Sequence, residues 1–254
     1  PSPVKRPVAA KDADALRASI LYRDEEVLIV NKPSGLAVQG GTGIDKSVDS
    51  MLDELRFEAK ERPRLVHRLD RDTSGVLVLA RSARAAKWLT AAFRARETEK
   101  IYWAVVQGLP KPMRGRVDIP LAKVPGPKGE KMMEDEDAGK RAVTLYTVVD
   151  HAANRAAWLA LMPLTGRTHQ LRAHCAALGT PIVGDGKYGG RSAYIEGPGI
   201  AKRLHLHAHF VRIHAPDGRE VSASAPLPPH IAATFKAFGF EPGAAPREPF
   251  ADAK

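Results

Sequence analysis

Cysteine is nearly absent: the 254 residues contain one, Cys175. A single thiol excludes an internal disulfide and suits a reducing compartment, so a cytoplasmic setting is expected. Long apolar runs are missing too. No stretch approaches the roughly 18 residues that would suggest a membrane span, and no signal-peptide core opens the chain, so no membrane partner is expected. The glycines of Asn31-Lys32-Pro33-Ser34-Gly35 and Gly40-Gly41 invite a phosphate cradle. A Walker loop, however, needs Gly before Lys-Ser, and Asp45 precedes Lys46-Ser47. That rejects a nucleotide-triphosphate site and leaves a loop whose backbone, with Lys32, is a candidate to approach a polyanion. No internal repeat is present. The chain opens on Pro1 rather than Met, from which a cut or processed chain is expected.

Basic residues are abundant by contrast. Lys and Arg total 39 against 29 acids, a formal charge of +10. A polyanion is the natural partner, since each neutralised phosphate releases counterions. The bland alternative is an Arg-rich protein from a GC-rich genome.

Residues 1–16 mix Pro, Ala and charge without a period and read as a linker or arm. Residues 19–24 and 27–30 form a strand pair around the acidic turn Asp24-Glu25-Glu26. Ser47 caps a helix with Val48, Met51, Leu52 and Leu55 on one face, and Pro63 limits it. Ser82 caps a second amphipathic helix carrying Ala86, Leu89 and Phe93, and residues 101–106 follow as a strand. Residues 126–139 read as a mobile surface loop. Residues 142–149 and 156–162 make another strand pair turned at Asn154, and 165–179 a helix started by Thr165 or Thr168 and stopped by Gly179 and Pro181. Asp185-Gly186-Lys187-Tyr188-Gly189-Gly190 is a turn-rich loop. Residues 203–214 alternate as a strand, and the tail from Glu241 reads as flexible. Paired strands outnumber helices, so the class is α+β with a largely antiparallel sheet. The expected catalytic domain is 17–240, between the 1–16 arm and the 241–254 tail.

One stretch organises the rest. Val76-Leu77-Val78-Leu79-Ala80, after Gly75, reads as a buried strand. Just before it stand Arg68, Asp70, Arg71 and Asp72, on a loop of the kind that holds chemistry beside a rigid element. Taken alone, Asp70 reads as a surface carboxylate paired with Arg68 or Arg71, and Tyr102 as a packed core aromatic.

Three blocks in order change that reading. His67-Arg68-Leu69-Asp70 with Thr73-Ser74-Gly75, then Glu99-Lys100-Ile101-Tyr102, then Pro163-Leu164-Thr165-Gly166-Arg167-Thr168-His169-Gln170-Leu171-Arg172-Ala173-His174 resemble the motifs of the RluA-type pseudouridine synthases. The resemblance covers residues 20–228, and the Asn31 to Gly35 and Gly40-Gly41 segments are most similar to the large-subunit ribosomal RNA C-type branch. It implies a mainly antiparallel α+β fold of two subdomains flanked by helices. It also implies an S4-like RNA-binding module upstream, missing from this chain. By the same resemblance Asp70 is the catalytic aspartate, Tyr102 packs on the target base and Arg172 ion-pairs with the aspartate. Arg68 fills the space left by the extruded nucleotide, and Leu171 lines the uracil pocket. Lys32, Arg167 and His67 join the candidate RNA-binding set, while His67, His169 and His174 also read as orienting or structural groups.

The chemistry suits these residues. Uridine isomerisation breaks N1–C1′ and joins C5 to C1′, consumes nothing and calls for no cofactor. A carboxylate is ordinarily ionised at neutral pH, whereas Ser or Cys would need an activating base. Attack on C1′ and a route through a glycal both remain open. The target base must be flipped out of the stack. The expected partner is RNA, 23S ribosomal RNA foremost, bound by a monomer. Three rivals stand beside this reading: a transfer-RNA synthase of the same family, a non-catalytic RNA-binding module, and a metal-dependent hydrolase using His205, His207 and His209 on one strand face. No carboxylate or thiolate cluster accompanies those histidines, so no metal site is assigned.

Overall fold

The computed structural model describes residues 10–41, 44–125 and 130–253. In chain order its helices and strands are α1 (Ala10–Ala18), β1 (Ile20–Arg23), β2 (Val27–Lys32), β3 (Arg64–Leu65), β4 (Ser74–Ala80) and α2 (Ala83–Ala95). They continue with β5 (Glu99–Gln107), β6 (Arg114–Asp118), β7 (Leu121–Val124), β8 (Lys131–Glu134), β9 (Val143–Ala152) and β10 (Ala156–Pro163). The last are α3 (Gln170–Ala177), β11 (Leu206–His214), β12 (Glu220–Ser224) and α4 (Pro229–Phe238). The chain divides into two compact units. One takes the chain up to Glu99 with Ala208–Pro226; the other takes Lys100–His207 and the chain from Leu227. The expected α+β class with antiparallel pairing holds in both.

In the first unit the order is β1–β2–β4–β11–β12, with the short β3 also on β4. All seven residues of β4 are buried, as its unbroken apolar run requires. Helix α2 begins where the Ser82 hydroxyl accepts the Ala85 N–H at 3.1 Å, and it turns Ala85, Leu89 and Ala92 inward. In the second unit β5–β10–β9–β6 form an antiparallel sheet, and β7 and β8 form a separate hairpin. Trp158 packs edge-on to Trp103 and against Phe235, all three nearly or fully buried.

Several expectations are corrected. Within the 1–16 arm, residues from Ala10 onward belong to α1, whose Ala13 and Leu16 are each only 3% exposed; residues 1–9 lie outside the described residues. The tail is not loose over its described length: Phe250 is buried, short 3₁₀ turns span Pro242–Ala244 and Ala251–Ala253, and Arg114 pairs with Asp252. In the 126–139 segment, where 126–129 are outside the described residues, β8 pairs with β7 and buries Met132. The helix after Ser47 is a 3₁₀ helix over Asp49–Leu55, although the Ser47 hydroxyl does accept the Ser50 N–H. Helix α3 starts only at Gln170, because His169 sits in the left-handed region at φ 53°.

Candidate active site

In the first unit, residues 66–73 carry the chain from β3 into β4, and local bonds fix their shape. Thr73 N–H returns to the Asp70 carbonyl at 3.2 Å. Gly75 follows at φ +110°, where a Cβ would meet the Ala208 carbonyl oxygen at 2.1 Å. Only glycine allows β11 to pass so close. His67 accepts the Val78 N–H on Nε2 at 2.9 Å and stacks on Phe93, with ring centroids 4.3 Å apart. His67 thus staples the loop to the strand that follows, in keeping with the orienting or structural reading of this residue.

A second loop, residues 33–36, is laced to this one. Gly35 N–H donates to the Arg71 carbonyl at 2.9 Å, Arg71 Nε to the Gly35 carbonyl at 3.1 Å, and the Ser34 hydroxyl to the Asp72 carbonyl at 2.8 Å. Lys32 sits at the centre of the lacing. Its Nζ donates to the carbonyls of Pro33, Leu36 and Arg71 at 2.9, 2.8 and 3.0 Å. The residue is 0% exposed. It therefore cannot be the phosphate-contacting lysine expected from the glycine-rich sequence; it is an internal clip beneath the Asp70 loop. Burial pulls its ammonium down to about 7, against the opposing pull of the Asp72 and Asp70 carboxylates. Asp70 itself is half-buried and Arg68 is exposed.

In the second unit, Tyr102 on β5 lies opposite Leu161 of β10. It packs half-buried against the apolar cluster that contains Leu161, Leu171 and Cys175. Leu171 is 6% exposed, so the residue expected to line an apolar pocket and the residue expected to stack on a base border one cluster. The loop into α3 is built around buried Gln170. Its amide oxygen accepts the Thr165 hydroxyl at 2.6 Å and the Arg167 N–H at 3.1 Å, while Nε2 donates to the Val143 carbonyl at 2.9 Å. The Thr165 hydroxyl in turn accepts the Val143 N–H at 2.8 Å. Thr165 thus acts through Gln170 and not as a cap. Arg167, half-buried, donates from Nε to the Arg141 carbonyl at 3.2 Å.

Arg172 makes a bidentate ion pair that the sequence reading missed. Its Nε and Nη2 meet the two Asp185 carboxylate oxygens at 2.8 and 2.7 Å. The Arg172 guanidinium carbon also lies 5.1 Å from the centroid of the Tyr188 ring. Only the loop's turn-rich composition was visible in sequence; nothing there signals that its Asp is buried.

Two of the three histidines of the metal reading, His205 and His209, have other partners. His205 meets the Arg203 carbonyl at 2.7 Å and the Thr234 hydroxyl at 2.8 Å, and His209 meets the Ala225 carbonyl at 3.2 Å. Burial brings both imidazoles down to about 4, and it does the same to His174. Among the described residues no group of three His, Cys, Asp or Glu side chains is placed to hold a metal ion.

Comparison with known proteins bears directly on these blocks. The profile of the RNA pseudouridylate synthase family matches residues 26–177. The dual-specificity RNA pseudouridine synthase RluA of Escherichia coli K12 is 41% identical over 82% of this chain and 92% of its own length. The mitochondrial RNA pseudouridine synthase 4 of Arabidopsis thaliana is 36% identical over 85% of this chain, which spans 59% of that longer protein. Among solved structures, the human RNA pseudouridylate synthase domain containing 4 superposes with a TM-score of 0.77 at 30% identity, covering 90% of this chain and 96% of that one.

Proposed function

This chain belongs to the RNA pseudouridylate synthase family, and from that membership we propose that it isomerises uridines of 23S ribosomal RNA with Asp70 as the nucleophile. One observation carries the assignment: Asp70 stands on a loop whose backbone is clamped by a buried lysine and anchored to a fully buried strand. Such preorganisation is what a positioned catalytic group requires. An Asp70 carboxylate oxygen attacks C1′ and the N1–C1′ bond breaks, with uracil leaving through N1. The freed ring turns, C5 bonds to C1′ and the carboxylate is released. C5 then loses its proton and N1 gains one, so atoms balance without any co-reactant or cofactor.

Base flipping precedes this chemistry and costs a few kcal/mol in lost stacking. Tyr102 stacks on the flipped uracil and Leu171 packs beside it. Exposed Arg68 reaches into the duplex position the nucleotide leaves. Arg172 supports the developing charge, and Arg167 steadies the loop that carries it. The surplus of positive charge draws the RNA in. A second substrate class rests on the 41% identity to a relative named as dual-specificity: transfer RNA enters beside ribosomal RNA, to the same monomeric enzyme.

The test is tritium release from C5-labelled uridine in 23S ribosomal and transfer-RNA transcripts. Asp70→Asn should reduce release to background while the melting temperature stays near wild type. Near-wild-type release by the variant sinks the nucleophile assignment. Release from only one transcript class decides between the two substrates.

A further inference from the structure

We propose that Asp185 and Tyr188 are positioning residues for Arg172, so that the loop after α3 fixes the plane in which this guanidinium works. The inference rests on the catalytic reading of Arg172 above and deepens it. The pair is withdrawn from water: the side chain of Arg172 is 11% exposed and that of Asp185 0%. Asp185 is itself held by the turn it begins. Its Oδ1 accepts the N–H of Lys187 at 3.2 Å and of Tyr188 at 3.3 Å, and its carbonyl accepts the Gly189 N–H at 2.9 Å. A carboxylate fixed by its own backbone fixes the fork that grips it, because a guanidinium is planar and its donors have set directions. Using Nε and Nη2 on Asp185 turns the opposite, Nη1 edge of Arg172 away from the pair.

Tyr188 constrains the remaining freedom. Its ring lies beside the guanidinium, with the Lys131 ammonium also 5.1 Å from its centroid. Its hydroxyl sits 3.0 Å from His169 Nδ1 and accepts the Met132 N–H at 3.0 Å. One phenol therefore ties together strand β8, the strained residue that opens α3, and the face of the arginine three residues further on. A buried ion pair is poor evidence for stability, since apolar residues of similar volume often serve as well. Geometry is the better reason for keeping this one.

A double-mutant cycle on the saturated rate tests the idea, with tritium release from the same transcripts as readout. Asp185→Asn should lower kcat by about 100-fold with little change in KM, as expected when a catalytic group is misplaced by about an ångström. In an Arg172→Lys background, where the bidentate grip is already gone, the same substitution should lower kcat by less than about 3-fold. Equal losses in both backgrounds, or a loss confined to KM, overturn the proposal and leave Asp185 a fold residue. If Asp185→Asn does not fold, Tyr188→Leu carries the cycle, with an expected loss of about 10-fold and Tyr188→Phe retaining the part that depends on the ring. Wild-type turnover by Arg172→Lys is a different failure: it removes Arg172 from the reaction, and the positioning role with it.

Discussion

Lys32 and Arg172 are both cations drawn out of water, and the two units neutralise them by opposite means. Lys32 has three neutral carbonyls around its three N–H groups. Arg172 has a buried carboxylate matched to its fork. Carbonyl dipoles fill the Lys32 donors, and burial brings its ammonium down to about 7 against the pull of the more distant Asp72 and Asp70 carboxylates, which make no ion pair with it. A carboxylate supplies a full counter-charge and a plane. The first arrangement suits a clip that holds backbone together. The second suits a side chain whose direction matters.

The two arrangements should break differently. The largest effect is expected at Arg172→Ala, which strands the buried Asp185 carboxylate; loss of one partner from such a pair typically costs about 3–5 kcal/mol. Urea unfolding should show that loss together with collapsed turnover, and a variant that loses RNA affinity alone would make Arg172 a backbone-contacting residue. Lys32→Met should cost less, about 1–3 kcal/mol, the range for leaving buried acceptors without donors. It should lower kcat by loosening the Asp70 loop while the salt dependence of RNA binding stays as in wild type. A flattened salt dependence would restore Lys32 as a phosphate contact.

The same comparison has a pH signature. Between about 7 and the ordinary lysine value near 10.4, the unfolded chain holds a proton that folded Lys32 has released. Stability relative to Lys32→Met should therefore rise from pH 7 towards pH 10. A flat difference means that the three carbonyls keep the ammonium charged. The smallest effect on stability is expected at exposed Arg68→Ala, within about 0.5 kcal/mol of wild type. Turnover on structured RNA should nevertheless fall, and fall less on a single-stranded substrate that needs no flipping.

The legible parts of the fold were those where one local pattern settles the outcome. Strand β4 is legible because its apolar run is unbroken, and β9 with β10 because Asn154 turns between two segments rich in apolar and β-branched residues. Helix α1 is not, since Lys11, Asp12, Asp14 and Arg17 leave only Ala13 and Leu16 to mark its buried face. Phe250 shows the same limit at the other end: one anchoring ring does not register against a background of Pro, Gly and Ala. For the site, Asp70, Tyr102 and Arg172 are proposed from the resemblance of their blocks, not from any local physical signal. The burial of Lys32 is not legible, because a lysine near glycines looks like a phosphate ligand. Its burial depends on carbonyls of residues 33, 36 and 71, and no periodicity encodes where a loop will aim its oxygens. The role of Asp185 is hidden for a similar reason, its partner Arg172 lying on the preceding helix.

The buried Lys32 amine has a practical consequence. In the folded chain this amine is held by the carbonyls of Pro33, Leu36 and Arg71 and is not free to attack acylating reagents. The surrounding protein, at 0% exposure, denies those reagents entry. Acylation at this one position can proceed only when the segment opens, so its labelling kinetics, followed by mass spectrometry, would count the excursions of the Asp70 loop. Surface lysines in the same sample would label on contact and supply the reference clock.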